Sequence, residues 1–224
     1  TDLDRALAGT SAHELVTRAA ATVTALDLDD GLLRRLIEAN RQDQRVSRYP
    51  TFDDLLRYCE LSANPIGRLV LGIFGAATPE RERWSDHVCT GLQLTEHWQD
   101  VAEDHGAGRV YLPLEDLDRF GVAVDDLGAK VSHPSLRGLM AFEVARAHGL
   151  LDAGTPLVAS MRGRSRWAIA GFVAGGQAAL DAITRADFDV LAAPRSASPL
   201  RFAHRLAAGL LPYRPDRRRA KDES

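Results

Sequence analysis

Three acids stand four residues apart, Glu96, Asp100 and Asp104, inside the stretch "LTEHWQDVAEDHGAGRVYLP". An α-helix turns by about 100° per residue, so Gln93, His97, Asp100 and Asp104 share a narrow sector with Glu96 at its edge. Like charges at this spacing repel across about 6 Å. The negative end of the helix dipole opposes the same carboxylates. Arg109 is the nearest compensating base and lies beyond the helix. The pattern therefore works mildly against folding, and two readings stand: a solvated face, or oxygen ligands aimed at one place. Hard oxygen donors suit Mg²⁺, which keeps several waters and shares carboxylates with substrate phosphates. Gly106, Gly108, Arg109 and Tyr111 follow at once, a loop, a cation and a phenol where a phosphate could sit.

These residues must be positioned by helices. The periodicity of apolar positions predicts an all-α fold of about eight helices, with "GRVYLP" the one short extended candidate. Leu15, Ala19, Val23 and Leu26 form one apolar stripe. Thr51 reads as an N-cap followed by first-turn acids. Thr78 caps the longest helix, with Pro79 in its first turn, and that helix is expected to run unbroken to Asp104. Another runs from Pro134 to about Asp152, and "RWAIAGFVAGGQAALDAIT" is the last clear one, with Trp167 read as core. His87 and His133 read as surface or capping residues, and His97 on the acid face as a charge-balancing neighbour or a ligand.

The chain has 224 residues, 45% hydrophobic and 26% charged, enough for a sizeable core in one domain. Residues 1–205 read as a single helical domain and 206–224 as a basic, flexible tail. A net charge of −3 gives no general affinity for nucleic acid. Cys59 and Cys89 form no zinc pattern and read as buried thiols of a reducing compartment. No apolar run is long enough to span a bilayer, and the first residues show no signal peptide. The expected location is the cytoplasm. A second reading adds peripheral contact of the basic tail with anionic headgroups at the inner face of the membrane. No Walker loop, Rossmann fingerprint or Ser-His-Asp set is found.

The run from Gln93 to Pro113 resembles the second aspartate-rich motif of the squalene/phytoene synthase family, in Asp100, Asp104, Gly108, Arg109, Tyr111, Leu112 and Pro113. Upstream, "DQRVSRYPTFDDLLRYC" is similar to the family's stretch containing Asp43, Arg48, Tyr49, Thr51, Phe52, Tyr58 and Cys59. "SANPIGRLVL" and "WQDVAED" look like its HpnC-type, hydroxysqualene-forming branch. The resemblance implies an all-α bundle around a central cavity that joins or rearranges prenyl diphosphates with Mg²⁺. It implies catalytic roles for Asp100, Asp104 and Tyr111, metal contact from Asp100, Asp104 and Glu96, and substrate contact from Arg48, Tyr49, Tyr58, Asn64, Gln93 and Arg109. Pro65 would bend the tunnel helix while Ala63 and Gly67 leave room for an isoprenoid chain.

Two departures matter. Glu96 stands where the family has Asn. The family's first aspartate-rich motif has no counterpart: Asp27, Asp29 and Asp30 read as helix-capping acids, Asp53 and Asp54 as first-turn acids. The chain begins with Thr1 rather than Met, and the expectation is that N-terminal helices precede it. The substrate reading is presqualene diphosphate converted to hydroxysqualene. Alternatives are a phytoene- or squalene-synthase-like condensation, and a non-catalytic isoprenoid-binding subunit that supports a partner synthase.

Overall fold

The computed structural model describes residues 1–192 and 199–210. Among them the chain forms twelve α-helices: α1 (Asp2–Leu7), α2 (Glu14–Ala25), α3 (Gly31–Gln42), α4 (Phe52–Ser62), α5 (Asn64–Ile73), α6 (Pro79–Gln99), α7 (Val101–Gly106), α8 (Leu114–Phe120), α9 (Pro134–Gly154), α10 (Pro156–Ser160), α11 (Gly163–Arg185) and α12 (Pro199–Leu210). A 3-10 turn, Val124–Gly128, joins α8 to α9. The all-α expectation holds, and the extra helices come mostly from short pieces that periodicity cannot resolve. The expected flexible tail begins inside α12, and its residues 211–224 lie outside the described residues.

Local chemistry sets the boundaries. Thr51 closes a full capping box with Asp54, and Thr78 accepts from the Arg81 amide ahead of Pro79. His133 caps α9 by accepting from the Leu136 amide. Gly121, at φ 66°, ends α8 in the left-handed conformation. Pro65 sits in the first turn of α5, and the axis breaks two residues earlier, at Ala63.

α6 is the central strut. It packs along α9 and also meets α4, α5, α10 and α11. Leu94, Trp98, Leu139, Met140, Leu151 and Leu180 are fully buried around it. The Trp98 indole donates to the Glu143 carbonyl at 3.2 Å, which pins α6 to α9. Close approach depends on glycine. A Cβ on Gly154 would overlap Val88 and lie 2.8 Å from the Trp84 carbonyl. Gly154→Ala is therefore expected to destabilise the fold by about 1–3 kcal/mol, read as a lower urea midpoint at unchanged slope.

Several packing expectations are corrected. Trp167 is 61% exposed instead of core, because α11 turns that side of its first turn to solvent. Leu15 and Leu26 are exposed, while Val16, Ala20 and Val23 make the buried side of α2. Cys59 is buried, whereas Cys89 is only half-buried. Gly67 does not open a tunnel: its missing Cβ lets α5 approach Ser85 and Cys89 of α6.

Candidate functional site

The expected single helix from Thr78 to Asp104 is broken at Asp100. That residue leaves helical geometry at φ −103°, ψ 13°, ends α6 and precedes α7. Repelling acids at the negative end of a helix give a physical reason for a break there. The turn is not lost, since the Asp104 amide still donates to the Asp100 carbonyl at 2.8 Å. Gly108, at φ 80°, then reverses the chain, and the Arg109 amide donates back to the Asp104 carbonyl at 2.8 Å. The Val110 amide donates to the Ser47 carbonyl at 2.8 Å, the one bridge that "GRVYLP" makes. This tie lays Tyr111 against Tyr49.

The result is a packed aromatic wall. Tyr49, Tyr58 and Tyr111 have ring centroids 5.4 to 5.9 Å apart. His97 stacks on Tyr111 at 3.7 Å and an interplanar angle of 11°. Its Nε2 lies 3.2 Å from Gln93 Nε2, and its Nδ1 lies 4.0 Å from Asp104 Oδ2. Burial pushes the His97 imidazole down to about 3, so the ring is neutral. Burial, then neighbouring charge, raises all three phenols, and Asp43 adds to each. One oxygen of Asp43, Oδ1, is buried with no hydrogen-bond partner.

The acids are under electrostatic load. Burial, then the charge of Asp100, lifts the Asp104 carboxyl to about 6, and Arg109 only partly offsets this. Burial, then Glu103, raises Asp100. Among the described residues neither Asp100 nor Glu96 has an ion-pair partner within 4 Å. Uncompensated, half-exposed oxygen donors beside a phenol wall suit a hydrated divalent cation, which needs only one or two protein carboxylates. Asp100 and Asp104 fit that role. No trio of His, Cys, Asp or Glu that could hold a metal ion is found among the described residues. Glu96 is exposed and acts on Asp104 only as the weakest of several nearby charges.

Other sequence candidates lie elsewhere. The Arg48 side chain is exposed and lines an outer groove with Glu38, Arg45 and Arg57. Asn64 is buried in a separate cleft of about 670 Å³, where its Oδ1 accepts from Thr90 at 3.0 Å. Among the described residues neither side chain forms a hydrogen bond or ion pair with Asp100 or Asp104. Two groups went unmarked as site candidates in the sequence: Asp43, whose charge acts on all three tyrosines, and an ion-paired triad between α8 and α9. In that triad Arg146 reaches Asp116 at 2.6 Å and Glu143 at 3.0 Å, while its guanidinium lies over the Phe52 and Phe142 rings. Asp116 follows Tyr111 by five residues and lies in the first turn of α8, so the triad ties the loop's exit to α9. No motif or period marks it, since its members come from two helices.

A family model of squalene/phytoene synthases matches residues 1–203. The chain belongs to the squalene/phytoene synthase family. Hydroxysqualene synthase of Rhodopseudomonas palustris is 38% identical over 128 residues, covering 57% of this chain and 44% of that protein. The chloroplastic phytoene synthase of Daucus carota is 30% identical over 177 residues, covering 76% and 44%. The chain thus spans less than half the length of these curated relatives. The crystal structure of squalene synthase HpnC from Alicyclobacillus acidocaldarius superposes with a TM-score of 0.79 at 41% identity, covering 84% of this chain and 71% of that one. No described helix is long and apolar enough to cross a membrane.

Proposed function

We propose that this member of the squalene/phytoene synthase family acts on a prenyl diphosphate, with presqualene diphosphate as substrate and hydroxysqualene as product. The observation that carries the reading is the strained acid pair Asp100 and Asp104, set against a wall of three tyrosines and served by Arg109. Similarity to hydroxysqualene synthases and to the HpnC structure supports the choice of branch.

In this reading Asp100 and Asp104 would hold Mg²⁺, which supplies Lewis-acid neutralisation of the diphosphate. Arg109 adds a fixed positive charge, and Tyr111 offers a hydroxyl to a diphosphate oxygen. The substrate C–O bond breaks and diphosphate leaves with the electron pair. The rings of Tyr49, Tyr58 and Tyr111 face the resulting carbocation, which they stabilise without offering a nucleophile as strong as a carboxylate. Rearrangement ends when water adds to the cation and releases one proton. The exposed apolar side chains Ile66, Ile73 and Phe74 on and beside α5 suit an isoprenoid tail.

The test is turnover of the protein with presqualene diphosphate and Mg²⁺, products resolved by mass. Hydroxysqualene is expected. Product formed only from geranylgeranyl diphosphate would instead favour the phytoene-type reading, which the longer match to the carrot relative supports. No product from either substrate would favour the non-catalytic subunit.

A further inference from the structure

His97 is the one member of the wall that is not a tyrosine, and the geometry fixes more than its burial. Gln93 Nε2 is an amide nitrogen and can only donate. It lies 3.2 Å from His97 Nε2, so that ring nitrogen must accept. A neutral imidazole that accepts at Nε2 carries its proton on Nδ1. Nδ1 is the nitrogen turned towards Asp104 Oδ2, at 4.0 Å.

We infer that His97 is a positioning residue for Asp104: Gln93 sets its tautomer, Tyr111 clamps its plane, and its Nδ1–H is aimed at one oxygen of the Asp104 carboxylate. The other oxygen is then left for a cation. This rests on the proposed role of Asp104 as a cation ligand and extends it to an orienting shell.

The surroundings support the assignment. Stacking on Tyr111 at 3.7 Å stops the ring from rotating about its long axis. Tyr58, on α4, flanks the stacked pair, its centroid 6.2 Å from His97 and 5.9 Å from Tyr111. The imidazole is 6% exposed, so water does not compete freely for Nδ1. A charge-assisted N–H···O⁻ bond has a length of about 2.8 Å. Reaching it from 4.0 Å takes a movement of about one ångström, within the swing of the Asp104 side chain, which is 22% exposed. Partners of this kind typically change metal affinity by about 10–100-fold.

Two measurements test the inference. The first is the ¹⁵N spectrum of His97 in the wild-type protein without metal. A protonated Nδ1 is expected; a protonated Nε2 would mean that Gln93 presents its oxygen, and would overturn the inference. The second is Mn²⁺ binding, alone and with inorganic pyrophosphate, followed by the electron paramagnetic resonance of free Mn²⁺. His97→Asn places an amide near the Nδ1 position, His97→Gln near the Nε2 position, and His97→Phe keeps only the stacked ring. Binding weakened about tenfold or more in His97→Gln and His97→Phe, with His97→Asn restored towards wild type, is expected. Equal affinity in all three variants would overturn the positioning role. Failure of the wild type to bind Mn²⁺ in either condition would overturn the cation site itself, while the ¹⁵N result still decides the tautomer.

Discussion

Asp100→Ala is expected to lower Mg²⁺-dependent turnover by about a thousandfold, equivalent to about 4 kcal/mol of transition-state stabilisation. Asp100 ends α6 at the break, half-exposed, with no ion-pair partner among the described residues. Removing it leaves Asp104 as the sole acid of the pair. The same change should have the opposite effect on stability without metal. Asp100 is the nearest charge raising Asp104, so its loss lets the Asp104 carboxyl fall back from about 6. Asp100→Ala should therefore unfold at an equal or slightly higher temperature in chelator, while losing activity. A variant that loses both would mark Asp100 as structural, and one that keeps turnover would remove it from the site. Tyrosine and arginine substitutions separate less cleanly, because Tyr111 is also part of the core.

Arg146→Met is expected to cost about 3–5 kcal/mol of folding stability, seen as a lowered denaturant midpoint. Asp116 is 2% exposed and Glu143 is fully buried, so each would lose its Arg146 hydrogen-bond donor with no access to water. Burial lifts the Glu143 carboxyl to about 8, which the Arg146 charge only partly offsets, so near neutral pH Glu143 holds its proton. The short Arg146–Glu143 distance of 3.0 Å is then a hydrogen bond to an acid that is largely protonated. The pH dependence follows from the direction of the shift. Folded Glu143 holds its proton above the unfolded value of 4.5, so stability falls as pH rises from about 4.5 to about 8. The slope is at most about 1.4 kcal/mol per pH unit. Glu143→Gln should flatten that decline and leave stability near pH 5 little changed. Because Asp116 lies in the first turn of α8, five residues after Tyr111, Arg146→Met should also loosen the loop that carries Arg109.

Much of this architecture was legible in the residues. Thr51, Thr78 and Pro79 mark helix starts because caps and first-turn prolines are local devices, and the structure uses all three. The acid pair, Arg109 and Tyr111 fall within one short segment, so their proximity was legible from spacing alone, while their role stays a proposal. What failed was long-range. Periodicity ran straight through Asp100, since one non-helical residue hardly disturbs a 3.6-residue pattern. The family resemblance made Gly67 look like open space, when the neighbouring helix fills it. Arg48 and Asn64 were read as substrate contacts from their motif alone, and the structure places them in two different clefts, Arg48 beside Tyr49 and Asn64 beside Thr90. The Asp116–Arg146–Glu143 triad unites α8 with α9 across thirty residues of sequence, and no window-based reading reaches it.

Asp100 and Asp104 are proposed to form a cation-dependent diphosphate site. Titration calorimetry of inorganic pyrophosphate into the protein tests it most directly, with Mg²⁺ and with chelator, on wild type and on the Asp100→Asn, Asp104→Asn double variant. Binding that requires Mg²⁺ and disappears in the double variant is the predicted result. Equal pyrophosphate affinity in chelator, or binding that survives loss of both carboxylates, would contradict it.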